Sequence, residues 1–150
     1  MDITTSQERT FVTLSEQLLR EIRRHHDPAA QMRVAKACAF LLVRFVRLGH
    51  LFGVIVLQPN LSITWQFRSA QVIHPDQRQQ VQKLFEEENR RRSDSRWFVA
   101  TDTGEVRFAG DLSLSGKAKK DLRTVRRALF RRVRSMDRDI GEWFVSYREV

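Results

Sequence analysis

The stretch GDLSLSGKA, residues 110–118, has the residue types of a phosphate-binding turn, a glycine-rich segment with a lysine leading from a strand-like run into a helix. In such turns backbone N–H groups cradle the phosphate, and a Ser or Thr after the lysine holds magnesium. Here five residues separate Gly110 from Gly116 where the pattern needs four, and Ala118 stands in place of the hydroxyl. A plain strand-to-helix turn is the better reading. His25-His26-Asp27 sets three ligating side chains side by side. Adjacent helical residues point about 100° apart, so the two imidazoles diverge. A helix C-terminus accounts for the histidines through its dipole. Cys38 is the single cysteine; it lies in an apolar run with no histidine close in sequence to activate it, and reads as a buried, inert thiol. No nucleophile-elbow motif and no acid–base pair of carboxylates is present. The expectation is a protein without catalytic, metal or cofactor sites.

A chain of 150 residues with ten Phe has material for one real core. One cysteine excludes an internal disulfide framework and favours a reducing compartment. The N-terminal MDITTSQER lacks the basic and apolar regions of a secretory signal. ACAFLLV, 37–43, is flanked by Lys36 and Arg44 and is too short to span a bilayer. The expectation is a cytoplasmic single domain, 1–150, with no membrane partner. A net charge of +9 points to acidic partners.

The elements follow from periodicity. Thr5 and Glu8 have capping-box spacing, and Phe11, Leu14, Leu18 and Ile22 recur at helical intervals, giving a helix over about 6–26. Asp27-Pro28 reads as N-cap and first turn of a second helix over 28–48. Its polar Arg33, Lys36, Arg44 and Arg47 form one stripe, and Gly49 is its C-cap. The run 51–58 and the alternating LSITWQFR, 61–68, read as a β-hairpin about Pro59-Asn60. A helix over about 75–92 follows, with Val81, Leu84 and Phe85 inward. Glu86, Glu87 and Glu88 there pair at i,i+4 with Arg90, Arg91 and Arg92. A second hairpin turns at Asp102-Thr103-Gly104, and a last helix runs over about 115–138 into GEWFVSY. The order α-α-β-β-α-β-β-α is an α+β domain, its antiparallel sheet of four or five strands covered on one face. Residues 6–48 form an N-terminal helical hairpin and 51–150 the remaining unit.

Lys117–Arg134, KAKKDLRTVRRALFRRVR, holds nine Lys or Arg against one Asp. Ala118, Leu122, Val125, Leu129, Val133 and Met136 fall in a stripe about 80° wide, a core-packing face. Lys120, Arg123, Arg127, Arg131, Arg134 and Arg138 gather opposite, with Phe130 among them. Arg126 and Arg132 flank the stripe, where their stems can cover apolar surface. Rows of like charge at i,i+4 cost a helix tenths of a kcal/mol per pair, which weakens the reading of a merely solvated face. A binding face, a solvated surface and an intramolecular or dimer contact remain open. The partner is an acidic protein, a second copy or nucleic acid. The Trp143-Phe144-Tyr147 tail either joins that contact or packs on its own core.

The second half carries a family pattern. Leu84, Phe85 and Asn89 close a helix. A hairpin then shows Phe98, Asp102, Gly104, Val106 and Phe108, with Asp102 one residue late, and a long helix ends the chain. Over about 61–145 this resembles the YbjN-like, type III secretion chaperone-like group. The resemblance implies a small α+β domain, often dimeric, that binds other polypeptides without chemistry. The chain differs from that group in its basic charge, and in an expected helical pair where the group has one N-terminal helix. Two functions follow as expectations: a chaperone- or adaptor-like protein-binding module, or a nucleic-acid-binding protein tracking phosphates with the Arg row.

Overall fold

The computed structural model describes residues 3–37, 40–92 and 94–148. Helix α1 spans Ile3–His25, and the strands β1 Arg33–Ala37, β2 Phe40–Leu48, β3 Leu51–Leu57 and β4 Ser62–Val72 follow it. Then come α2 Pro75–Asn89, β5 Ser95–Val99 and β6 Glu105–Ser113. The last helix is α3 Ala118–Val125, a π turn Arg126–Phe130 and α4 Arg131–Arg148 in unbroken succession. The protein is α+β, with one antiparallel six-stranded sheet in the order β1-β2-β3-β4-β6-β5.

The core lies between one face of the sheet and all the helices. Phe11, Leu14, Leu18 and Ile22 of α1 are buried at the expected helical spacing. Val81 and Phe85 of α2, and Val125, Leu129, Val133, Ile140 and Phe144 of the last helix, join them in one cluster with the inward residues of β2 to β6. One inward row runs Val46–Gly53–Phe67–Phe108–Trp97 across five strands. Gly110 faces Trp65, where a Cβ would come within 2.3 Å of the indole.

The helix expected over 28–48 does not form. That segment is a turn and the strands β1 and β2, so the sheet has six strands and only one helix precedes it. The reason is a β-bulge. Leu41, Val43, Val46 and Leu48 are the buried residues of β2, and the register slips between Val43 and Val46. The extra residue breaks the period-2 alternation and puts Arg44 and Arg47, three apart, on one face as a helix would. The turn signals are used otherwise than expected. The Asp27 carboxylate accepts from the Ala29 N–H at 2.9 Å, an Asx turn in place of a cap. Gly49, at φ 61°, opens the two-residue β2–β3 turn. Phe45, at the bulge, has φ 59°, a left-handed backbone that costs a side-chain-bearing residue about 1–2 kcal/mol.

Helix α1 begins at Ile3, so Thr5 lies inside it and does not cap it. Helix α2 ends at Asn89, so Arg90, Arg91 and Arg92 fall beyond it and the three expected Glu–Arg pairs do not form. Leu84 is half-exposed instead of inward. The α2 side chains cover the sheet edge at β5. Asn89 donates to the Trp97 carbonyl and accepts the Trp97 N–H, both at 2.8 Å, and Gln82 accepts the Val99 N–H at 2.9 Å. These bonds satisfy the outward groups of an edge strand that would otherwise be open to pairing.

Candidate anion-binding groove on the last helix

The basic helix is two-faced, as its sequence indicates, but its phase shifts midway. The Arg131 N–H reaches back to the Arg126 carbonyl, an i→i+5 bond. One extra residue in a turn makes everything downstream lag by about 100°. Before the turn the buried positions are Asp121 and Val125; within it they are Ala128, Leu129 and Phe130, and after it Arg132, Val133, Ile140 and Phe144. Phe130 therefore is not on the cationic face. It is 3% exposed and stacks on the His25 ring at 4.4 Å and 12°. Leu122 and Met136, expected in the stripe, are only partly buried.

Lys120, Arg123, Arg127, Arg131, Arg134 and Arg138 are exposed as expected. Arg138 pairs with Glu142 at 3.4 Å. Arg131 and Arg134 line a groove of about 350 Å³ against the end of α1, with Arg24, His25, Glu21 and Arg126. Lys120, Arg123 and Arg127 do not line it. Glu21 accepts from Arg126 through both oxygens, at 2.7 and 2.9 Å, and from His25 at 3.0 Å. The hydrogen bond from Arg126 holds the Glu21 carboxyl below its ordinary range, against the opposing effect of burial and with a smaller contribution from His25. The pair leaves Arg24, Arg131 and Arg134 without a carboxylate partner among the described residues. Periodicity could not find Arg24, Glu21 and His25, because they belong to another helix. Their sequence signal is the basic last turn of α1, Arg23-Arg24-His25.

Arg132 is the buried exception. It is 4% exposed, donates to the Ser95 carbonyl at 3.0 Å and to Ser95 Oγ, and lies over the Phe108 ring at 5.5 Å. Burial pushes its guanidinium below the usual range, with Asp94 opposing.

The other residues that suggested chemistry have structural partners. The Asp121 carboxylate accepts from Ser115 N–H at 2.9 Å, Ser115 Oγ at 2.7 Å and Gly116 N–H at 2.9 Å. The donors that a phosphate loop would aim at a nucleotide are thus held by the chain's own carboxylate. His26 accepts the Arg47 N–H on Nδ1 at 2.8 Å, so its proton sits on Nε2, which donates to the Ala30 carbonyl at 2.8 Å. Cys38 lies outside the described residues. Phe144 is buried and Trp143 meets Phe85 edge-on at 5.7 Å, so this part of the tail packs on the core; the Tyr147 side chain lies outside the description. Among the described residues no group of three His, Cys, Asp or Glu side chains is arranged to hold a metal, and no helix is long and apolar enough to cross a membrane.

No protein-family model matches this chain, and no curated protein matches it significantly.

Proposed function

We propose that this protein is a non-enzymatic binding module, chaperone- or adaptor-like, that receives an acidic segment of a partner protein in the groove between α1 and the last helix. One observation carries the reading: Arg24, Arg131 and Arg134 flank a single groove with no carboxylate of their own. Guanidinium groups suit bidentate capture of carboxylates. Helices packed on the core hold the groove, so little ordering cost falls on the binding event. Nucleic acid on this same face is the competing reading, and the two rings that line the groove weigh against it: His25 and Phe130 are stacked on each other and largely buried, which leaves little aromatic face for a base. The resemblance to the YbjN-like, type III secretion chaperone-like group, which has one N-terminal helix, supports the reading alongside the single helix α1 that precedes the sheet. Under this reading the protein works in the cytoplasm, and a homodimer is the alternative occupant of the groove.

A fluorescence anisotropy titration with a labelled glutamate-rich peptide, at about 50 and 200 mM salt, tests it. Binding should weaken with salt, and Arg131→Glu with Arg134→Glu should cost about tenfold or more in affinity. Peptide binding that this double variant does not change would sink the proposal. So would a concentration-dependent dimer, seen by sedimentation, that the same variant dissolves while the peptide fails to bind.

A further inference from the structure

We propose that the open face of the sheet is a second binding surface, and that its ligand is single-stranded nucleic acid. The buried faces of the helices join the core on the other side, so among the described residues no helix covers this one. One outward row crosses four strands in direct register as Phe52–Arg68–Arg107–Phe98. Three inter-strand steps make it about 14 Å long. The β2 bulge breaks the alternation so that Arg44 and Phe45 are both exposed, and they flank a depression of about 460 Å³ with Phe52, Arg68 and Arg107.

Three features set this face apart from a surface that only meets water. Phe45 is 54% exposed and also held at φ 59°. A bulky residue with positive φ is an outlier, and such outliers gather at functional sites. Arg33 stands directly opposite Arg44, and Arg68 directly opposite Arg107. Like charges at paired cross-strand positions destabilise a sheet. The guanidinium groups are also held by rings more than by carboxylates. Arg68 lies over Phe52 at 5.1 Å, Arg107 over Phe98 at 6.0 Å and Arg33 over Phe45 at 6.0 Å. Of these arginines and Arg96, only Arg107 has an ion-pair partner among the described residues, Glu105 at 2.7 Å. Their donors are left for an outside anion.

A ligand that neutralises the paired arginines and covers the exposed ring is anionic at regular intervals and flat between the charges. Single-stranded nucleic acid has this chemistry: bases stack on aromatic rings or guanidinium planes while phosphates meet arginines. A duplex hides its base faces in its own stack. A second copy of this face would set like charge against like. The rings of the helix-side groove, His25 and Phe130, are stacked on each other and largely buried, whereas this face exposes the Phe45 ring beside its arginines, and that difference separates the two ligands.

Anisotropy titrations with labelled twelve-nucleotide oligo-dT and oligo-U, and with a duplex of the same length, test the proposal. The single strands should bind more tightly than the duplex and lose affinity as salt rises. Arg44→Glu with Arg68→Glu should weaken binding at least about tenfold and flatten the salt dependence. Phe45→Ala with Phe52→Ala should weaken it about tenfold with the salt dependence unchanged. The groove variant Arg131→Glu/Arg134→Glu should leave it within about twofold. Because sheet variants can unfold, 4-thiouridine photocrosslinking to the unaltered protein supplies a second readout. Crosslinks should map to β2, β3 and β5. No binding at low salt, crosslinks confined to α4, or loss of binding only in the groove variant would each overturn the proposal. The glutamate-rich peptide binding this face in place of the oligonucleotides would overturn it too. Loss of peptide binding at the groove, with oligonucleotide binding intact, bears only on the groove.

Discussion

Glu21 is the residue on which the groove turns. Its carboxylate joins α1 to the last helix through Arg126 and to His25 on its own helix, beneath which Phe130 is stacked. A carboxyl whose folded pKa lies below its unfolded value adds stability that is complete above the ordinary value of 4.5 and is lost as pH falls through the folded value. Glu21→Gln should therefore lower stability at pH 7 by about 1–2 kcal/mol, less than a fully buried pair because Arg126 is 36% exposed and screened by solvent. The gap between variant and parent should close as pH falls below the ordinary value of 4.5 and through the lower folded value. Urea denaturation at several pH values measures it, and a gap independent of pH would show that the ion pair contributes nothing through charge.

At the scale of elements, two single-residue insertions explain where periodicity misled. The bulge in β2 throws a strand pattern out of phase, so that 28–48 reads as a helix with a polar stripe. The π turn throws a helix pattern out of phase, so that Phe130 reads as exposed when it is core. Neither leaves a mark in composition. Each is stable because what it turns inward is buried: Val46 and Leu48 after the bulge, and Phe130 at the π turn. The bulge retains strain at Phe45, and glycine adopts that backbone without it. Phe45→Gly should raise the unfolding temperature by about 3 °C, near 1 kcal/mol, since the ring it removes is mostly in water. An unchanged or lower melting temperature would mean that the contact between Phe45 and Arg33 outweighs the backbone cost.

For the whole molecule, the charge is arranged on two opposite sides of one core. One cationic groove lies on the helix side, and the arginine–phenylalanine rows lie on the bare side of the sheet. The two surfaces share no lining residue, so their variants should act independently. A chain carrying both the Arg131→Glu/Arg134→Glu and Arg44→Glu/Arg68→Glu pairs should show each ligand's loss within about twofold of the corresponding single-surface variant. Calorimetric titration of each ligand into the protein saturated with the other checks this, and a large mutual change in affinity would place both ligands on one surface.

The sequence alone determined most of the local structure. Phe11, Leu14, Leu18 and Ile22 declare α1, alternation in 61–68 declares β4, the turn at Asp102-Thr103-Gly104 declares the β5–β6 hairpin, and Lys117–Arg134 declares a helix with a cationic side. These are short-range signals, read from spacing within one element. The tertiary structure decided what spacing cannot carry: the phase of β2 and of the last helix, the meeting of Arg24 with Arg131 and Arg134, and the register that lines Phe52, Arg68, Arg107 and Phe98 in one row. Those depend on which surfaces pack together. A one-residue insertion leaves no spacing signal of its own and in β2 carries a backbone cost at Phe45, so the burial that follows it is what selects it.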